Sequence, residues 1–258
     1  MSTLLTRRKF LAGSSVGMAA FALTGCDLPG GSESYRRIIK MAESLTQGTQ
    51  RLFLSDKALA REFTEADMSP VFKANGTKHP DGEAYARLLE TNFSDWRLVV
   101  DGMVNKPLSL SLAELKQLPS RTQITRHDCV EGWSAIGKWT GVPLGLLLQT
   151  AGLAPDARYA VLHCADKYEK TLDDSGRYYE SIDLVDAFHP QTILAYGMNG
   201  GTLPVEHGAP LRLRVERHLG YKHAKYLMRI EIVDSFAHLG RGHGGFWEDR
   251  GYEWYAGI

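Results

Sequence analysis

An α+β fold is what this sequence predicts, and three observations predict it. Short apolar runs that suit strands mix with amphipathic runs that suit short helices, without the regular strand–helix–strand rhythm of a doubly wound parallel sheet. Twenty-six glycines and ten prolines spread turns along the whole chain. The 258 residues, 43% hydrophobic and 23% charged, have ordinary globular composition and suffice for one substantial core. Thirty basic side chains balance thirty acidic ones, which excludes a strongly basic nucleic-acid binder. Three cysteines exclude a disulfide framework.

The chain opens with Arg7-Arg8-Lys9-Phe10-Leu11, followed by a weakly apolar run to Leu23. That run is too short to span a bilayer as a helix, and a basic start before a short apolar stretch predicts an export signal over residues 1–25. Arg-Arg followed by Phe-Leu resembles a twin-arginine signal, a route associated with export of folded, cofactor-loaded proteins. Leu23-Thr24-Gly25-Cys26 resembles a bacterial lipobox, with Cys26 the lipidated residue, and Asp27 resembles an inner-membrane retention signal. Cleavage there leaves 27 basic and 30 acidic side chains. Residues 26–34, rich in Pro, Gly and Ser, read as a tether.

Residues 35–93 form a helical and extended segment packed on the core, with an amphipathic helix over about 35–53 and a second over 57–63. Asn75-Gly76 and Pro80-Asp81-Gly82 are turn signals. The core, residues 94–258, begins with a strand over 96–100, a turn at Asp101-Gly102 and a short strand over 108–110. Ser111 and Glu114 have the spacing of a capping box that starts a helix ending near Pro119. An extended run over 122–129 follows, then a helix over 142–151 with Pro143 in its first turn. A buried strand over 160–164 and a short helix over 182–188 come next. Strands over 193–198, 211–215 and 226–233 complete the core. The last stretch, from Gly240 to Tyr255, is rich in Gly and aromatics. It reads as a packed tail closing the core, or else as a cover for a cleft or a surface for a redox partner.

The segment Arg126-His127-Asp128-Cys129-Val130-Glu131-Gly132-Trp133-Ser134 carries the most chemistry. Polar and basic neighbours favour a reactive or metal-binding thiolate at Cys129 over an inert buried thiol. Three uses fit: a nucleophile with a histidine base such as His127 or His207, a zinc ligand, or the single protein thiolate on a soft-ligand metal. Zinc lacks the paired ligand spacing.

Cys129-Val130-Glu131-x-Trp133-Ser134, followed by Trp139-x-Gly141-Val142-Pro143-Leu144, resembles the molybdenum-binding segment of the sulfite oxidase superfamily. Ala195-Tyr196-Gly197-Met198-Asn199-Gly200, His207-Gly208-Ala209-Pro210-Leu211-Arg212 and Gly220-Tyr221-Lys222-His223-Ala224-Lys225 continue the resemblance in the family's order, over about residues 94–234. The similarity is closest to the catalytic subunits of bacterial protein-methionine-sulfoxide reductases. It implies a molybdopterin-binding fold of mixed β-sheets with short helices, and a molybdenum-molybdopterin cofactor with one pterin. It further implies that Cys129 ligates the metal, and that His207, Arg212, His223, Ala224 and Lys225 contact the cofactor. Asn75 matches an upstream cofactor asparagine, Cys164 a small polar pterin contact, and Tyr178 the segment of the sulfite oxidase active-site tyrosine.

The chemistry agrees with that transfer. Arg212 can clasp two phosphate oxygens, Lys225 can act as a point charge, and His207 can donate one hydrogen bond or simply occupy a surface turn. Cys164 suits a packed core thiol as well as a pocket contact, and Tyr178 can donate to a metal-bound oxygen or pack. Arg214, Arg217 and His218 read as a solvated strand and loop. Sulfite oxidases carry Cys-Ala-Gly-Asn-Arg-Arg, whereas here Val130-Glu131-Gly132-Trp133 follows the cysteine. That departure points to reduction of a sulfoxide or related S- or N-oxide, small or protein-bound, with sulfite oxidation as the alternative. Asp128 stands where the reductase type has arginine, with Arg126 a candidate substitute.

The resemblance also implies a monomeric catalytic subunit with a b-type or soluble cytochrome as electron partner, and neither a haem domain nor the dimerising domain of larger sulfite oxidases. The signal implies a periplasmic protein held at the inner membrane by its lipid. The competing classes are a cofactor-free cysteine hydrolase and a binding lipoprotein.

Overall fold

In the computed structural model, positions 41, 45–49, 58–171 and 175–258 are described. The chain divides into two units, Met1–Thr46 and Gln47–Ile258. The described positions 41 and 45–49 are helical, in keeping with a helix over 35–53. The export signal, Cys26, the tether and the rest of that helix lie outside the described residues. No helix of the described residues is long and apolar enough to cross a membrane.

The second unit is built on two five-stranded sheets. Its strands are β1 (Arg97–Gly102), β2 (Leu108–Ser111), β3 (Arg121–Asp128), β4 (Ser134–Pro143), β5 (Tyr159–Lys167), β6 (Arg177–Asp183), β7 (Ile193–Met198), β8 (Gly201–Thr202), β9 (Arg212–Arg214) and β10 (Leu227–Val233). Helices α1 (Glu83–Glu90), α2 (Leu112–Gln117), α3 (Leu144–Ala151) and α4 (Leu184–Ala187) connect them. One sheet has the order β2-β1-β10-β5-β6; the other is β3-β4-β7-β8, with β9 also paired to β7. The β1–β10 pair is parallel and brings the start of the core beside its end, while the other pairs are antiparallel. Mixed sheets with short helices are the expected α+β architecture.

Alternation along the strands decides where the core sits. Leu98 and Val100 of β1, Leu162 of β5, and Ile230 and Ile232 of β10 point inward and bury against Leu148 of α3. A smaller cluster surrounds Trp139 of β4, with Ile193, Ala195, Met198 and Leu203. Ser111 caps α2 as its spacing predicts: its Oγ accepts the Glu114 N–H at 3.2 Å, and Glu114 accepts the Ser111 N–H at 2.7 Å.

The structure departs from the sequence expectations at several elements. Residues 58–63 are extended, not helical. The Gln191 side chain accepts from Ala60 N and donates to Ala60 O, and Glu62 bridges Thr125 of β3, so the segment's backbone partners lie outside it. The turn at Asp101-Gly102 is still strand, paired to Glu231 and Ile232. Val142 and Pro143 end β4, and α3 begins at Leu144. Likewise Ile182 and Asp183 end β6, and Asp183 caps α4 by accepting the Asp186 N–H at 2.9 Å. Three elements had no clean sequence pattern. In β4, Gly137 and Gly141 interrupt the apolar alternation because Phe72 and the backbone of β7 approach too closely for a Cβ. In β6 a glutamate, Glu180, points into the core. Helix α1 buries only Tyr85.

Truncating the fully buried Leu148 to alanine is expected to cost about 3 kcal/mol in denaturant unfolding. Ser111→Ala, which removes only the cap, is expected to cost about 1 kcal/mol.

Candidate active site

Cys129 is the first residue after β3. Its N–H donates to Trp133 O at 2.9 Å, and its carbonyl accepts from Gly132 N at 3.0 Å. Gly132 closes this tight loop at φ +84°, a conformation that favours glycine. The loop holds the half-buried thiol in the wall of a cleft of about 290 Å³. Burial pushes the thiol up, although neighbouring backbone N–H groups favour the thiolate. Glu131, also in the wall, accepts from Trp133 Nε1 at 2.9 Å and pairs with Lys73 at 3.6 Å. Arg126 takes no part in the wall: it sits on the exposed face of β3 and pairs with Asp128 at 2.9 Å.

The 220–225 turn forms the next part of the wall through Gly220, Tyr221, His223 and Lys225. Gly220 is required there because a Cβ would lie 2.5 Å from His127 Nε2. Tyr178 of β6 donates its hydroxyl to Tyr221 O, and its ring packs in a mutual cluster with those of Tyr168 and Phe246. Its donor therefore holds the turn in place. Burial, with Glu180 nearby, keeps it a phenol.

The inner end of the cleft is polar and closed. Lys225 Nζ donates to Asn75 O at 2.7 Å, to Glu206 O at 3.0 Å and to Thr77 O. Burial, then the nearby Arg212, pushes its pKa down to about 7. Asp166 of β5 is pushed up to about 6 by burial. Asn75 Oδ1, Asp166 Oδ1 and His223 Nδ1 are buried polar atoms without a partner among the described residues. Each such atom costs roughly 1–3 kcal/mol while unpaired. A lysine near its titration point, unpaired acceptors and a thiol in one cleft fit a polar, anionic cofactor carrying a soft metal.

Around this wall the site residues divide. Arg212 is fully buried and donates to His207 O at 2.9 Å and to His223 O at 3.2 Å, which leaves only Nε unpaired. It thus clasps two backbone segments instead of presenting a two-pronged clamp to a phosphate. His207 is buried, not on a surface turn. Its Nδ1 is unpaired, and burial, then Arg212, lowers its pKa to about 4, so the ring is neutral. Ala224 is buried, and its carbonyl accepts from Leu213 N at 2.8 Å. Cys164 lies in the core, its Sγ 3.9 Å from Leu162 O, and is not part of the cleft wall.

Arg214 and His218 are buried, and Arg217 is mostly so, contrary to the solvated reading. Arg214 makes a two-pronged pair with Glu216, at 2.9 and 2.6 Å. It also meets His127 Nδ1 at 3.0 Å and lies 4.5 Å from the Trp139 ring centroid. His218 and Arg217 both bind Asp186, at 2.9 and 2.6 Å. Burial opposes ionisation of Asp186, but those two partners outweigh it and hold the carboxyl well below its usual range. The pattern missed these burials because partners neutralise the charges: Asp186 comes from 31 and 32 residues away to meet Arg217 and His218, while Glu216, two residues along, goes inside with Arg214.

Sequence reasoning also missed two wall residues. Asp166 was within reach: two positions beyond Cys164 on a strand, it shares that residue's face. Tyr168 carries no local pattern that places it there, whereas the cleft-cover alternative for the 240–255 stretch included Trp247 and Tyr252. The tail brings in the last two, fixed by Glu248, which meets the buried Lys222 at 2.7 Å, while Lys222 also meets Glu180 at 2.5 Å.

Residues 86–238, more than half the chain, match the family model described as "Oxidoreductase molybdopterin binding domain". The chain belongs to this family. It is a molybdopterin-dependent oxidoreductase, and the polar inner end of the cleft suits such a cofactor. The chain is 36% identical to the Azospira oryzae protein named "Putative protein-methionine-sulfoxide reductase subunit YedZ1" over 251 residues, 97% of this chain and 87% of that one. It is 39% identical to the protein-methionine-sulfoxide reductase catalytic subunit MsrP of Xanthomonas axonopodis over 166 residues, 62% of this chain. It is 34% identical to that of Ralstonia nicotianae over 179 residues, 67% of this chain. It spans about half the length of those two catalytic subunits, 51% and 54%. Among solved structures, the sulfane dehydrogenase SoxCD of Paracoccus pantotrophus matches with a TM-score of 0.49 at 26% identity, over 55% of this chain and 39% of that one.

Two outcomes test this geometry. In cofactor-free protein, an alkylating reagent should label Cys129 at a rate still climbing above pH 9, while Cys164 stays unlabelled until the protein unfolds, as read by peptide mass spectrometry. Lys222→Met should destabilise the fold by about 3 kcal/mol in denaturant unfolding, because two buried carboxylates lose their cation.

Proposed function

We propose that this oxidoreductase reduces S-oxides, with methionine sulfoxide, free or protein-bound, as the substrate class, and that Cys129 is the protein ligand to molybdenum. The observation that carries the reading is the cleft itself. A thiol stands in its wall, a cation and unpaired polar atoms line its inner end, and at its outer end Glu131 is paired with Lys73 at 3.6 Å. With Lys73 committed to Glu131, a sulfite dianion meets no free arginine or lysine among the described residues of that end, whereas a neutral sulfoxide needs none. The names of the reductase relatives support the same substrate class. The relatives' names, each a subunit of a reductase, support a further subunit, for which a b-type or soluble cytochrome donor is the proposal.

When bound, the cofactor supplies two-electron redox chemistry at the metal. The balance is an S-oxide plus two electrons plus two protons giving a thioether plus water, with the electrons coming from an external reductant. Cys129, fixed by the tight loop, holds the metal in the wall. Lys225 offers one positive charge to an anionic cofactor group, which in turn favours the protonated lysine. Asn75, Asp166 and His223 offer their unpaired atoms to the cofactor's polar edge. Arg212 fixes the backbone at 207 against the backbone at 223. Tyr178 fixes the turn that carries Tyr221. The hydrolase alternative fares poorly: His127 Nδ1 accepts from Arg214, and burial raises the Cys129 thiol instead of lowering it.

Export by the twin-arginine route and lipid anchoring at Cys26 belong to the same proposal, supported by Arg7-Arg8 and the Leu23–Cys26 motif. In that setting the protein is a periplasmic catalytic subunit on the inner membrane.

The test is metal content and turnover of the exported protein. About one molybdenum per chain is expected, with reduction of methionine sulfoxide under a continuous supply of reduced viologen, a single turnover without it, and loss of both metal and turnover in Cys129→Ala. Absence of molybdenum in a host that loads a control enzyme, or oxidation of sulfite without sulfoxide reduction, would overturn the reading.

A further inference from the structure

The cleft is polarised along its length. At the inner end Asp166, His223 and Lys225 are each no more than 5% exposed, whereas at the outer end Val130 is 45% and Tyr252 39% exposed. A cofactor with a charged tail suits the inner end, so a substrate meets the metal from the outer end. The C-terminal tail brings two aromatic rings there, Trp247 and Tyr252. The Trp247 and Tyr252 rings stack at 27° with centroids 5.3 Å apart. Tyr252 also meets Tyr221 edge-on at 5.2 Å, and Trp247 meets Tyr168 edge-on at 5.5 Å.

The two rings sit on a fixed turn. Tyr252 N donates to Trp247 O at 3.0 Å, and Gly251 turns the chain at φ +103°. Glu248, between them, is tied to Lys222, while Asp249 accepts from Tyr179 Oη at 2.6 Å and from Arg241 N at 2.9 Å. Neither the Trp247 indole N–H nor the Tyr252 hydroxyl has a hydrogen-bond partner among the described residues. Two aromatic faces with a free donor each, held rigidly on the approach to a redox centre, suit a molecule that is apolar at one end and a strong acceptor at the other.

We propose that Trp247 and Tyr252 are the specificity-determining residues of this enzyme, binding the apolar arm of an S-oxide substrate. The wall favours sulfoxides that carry an aryl or thioalkyl arm over dimethyl sulfoxide. This assignment rests on the S-oxide reading of the site.

The experiment uses the loaded, full-length enzyme with methyl p-tolyl sulfoxide and dimethyl sulfoxide. The kcat/KM ratio of aryl to dimethyl substrate is expected to fall about tenfold in Trp247→Ala and in Tyr252→Ala, through KM of the aryl substrate. Trp247→Phe and Tyr252→Phe should recover most of it, and molybdenum per chain should equal that of the wild type. A parallel loss on both substrates, or a drop in bound molybdenum, would overturn the assignment. If the wild type reduces neither sulfoxide, the S-oxide reading falls, and equilibrium binding of methyl p-tolyl sulfide then decides the wall by itself. Binding weakened about tenfold in the alanine variants upholds it, and binding that is equal or absent throughout overturns it.

Discussion

A buried ammonium shared by two carboxylates ties together the segments that close the cleft. Lys222 lies on the 220–225 turn, Glu180 on β6 and Glu248 on the tail, and all three are almost fully buried. Burial alone would neutralise Lys222, but Glu180 and Glu248 outweigh it and keep the amine charged. Burial and the neighbouring Glu248 push Glu180 well above the usual carboxylate range. Charges desolvated this way are worth little as net stability but are costly to separate. That asymmetry makes the arrangement a latch: the turn beside Cys129, the strand that carries Tyr178 and the tail that carries Trp247 hold one mutual position or lose their partners.

The groups buried around the inner end of the wall follow a similar logic with the sign reversed. Arg212, Arg214 and Lys225 are buried close together, and each depresses the basicity of neighbouring groups. Two of these cations are committed to the protein. Arg212 spends its guanidinium on backbone carbonyls, and Arg214 on Glu216 and His127. Lys225 faces the cleft and holds only carbonyl oxygens, so it is the group most ready to accept an anion. His127, His207 and His223 stay neutral in this field, which makes them hydrogen-bonding groups instead of charges.

The division of the cleft into a polar inner end and an aromatic outer end separates two tasks. Binding of a cofactor is assigned to residues anchored by the sheets and the 220–225 turn. Choice of substrate is, on the proposal above, the task of the tail, which is latched to the 220–225 turn through Glu248 and Lys222. At the outer end Glu131 and Lys73 offset each other at 3.6 Å, so the described wall offers no free cation there to an anionic substrate.

The sequence by itself determined the thiol, the order of its companions and most of the strands. Local patterns are enough for these: Ser111 and Glu114 cap a helix through neighbours three apart, and β7 needs only its apolar run. The sequence marked Arg212 as a cofactor contact able to clasp two phosphate oxygens, but not that it is buried with its donors on His207 O and His223 O. What only the tertiary structure decided are the places where a distant partner overrides a local preference. Residues 58–63 give up a helical pattern because Gln191 and β3 supply their backbone bonds. His218 and Glu180 go inside because Asp186 and Lys222 meet them there, and Arg214 goes inside against His127 of β3. Trp247 and Tyr252 reach the cleft because a tail far along the chain is latched beside Cys129. Propensity and periodicity report on neighbours within a turn of helix or a step of strand, whereas buried charge and cleft walls are set by pairings many tens of residues apart.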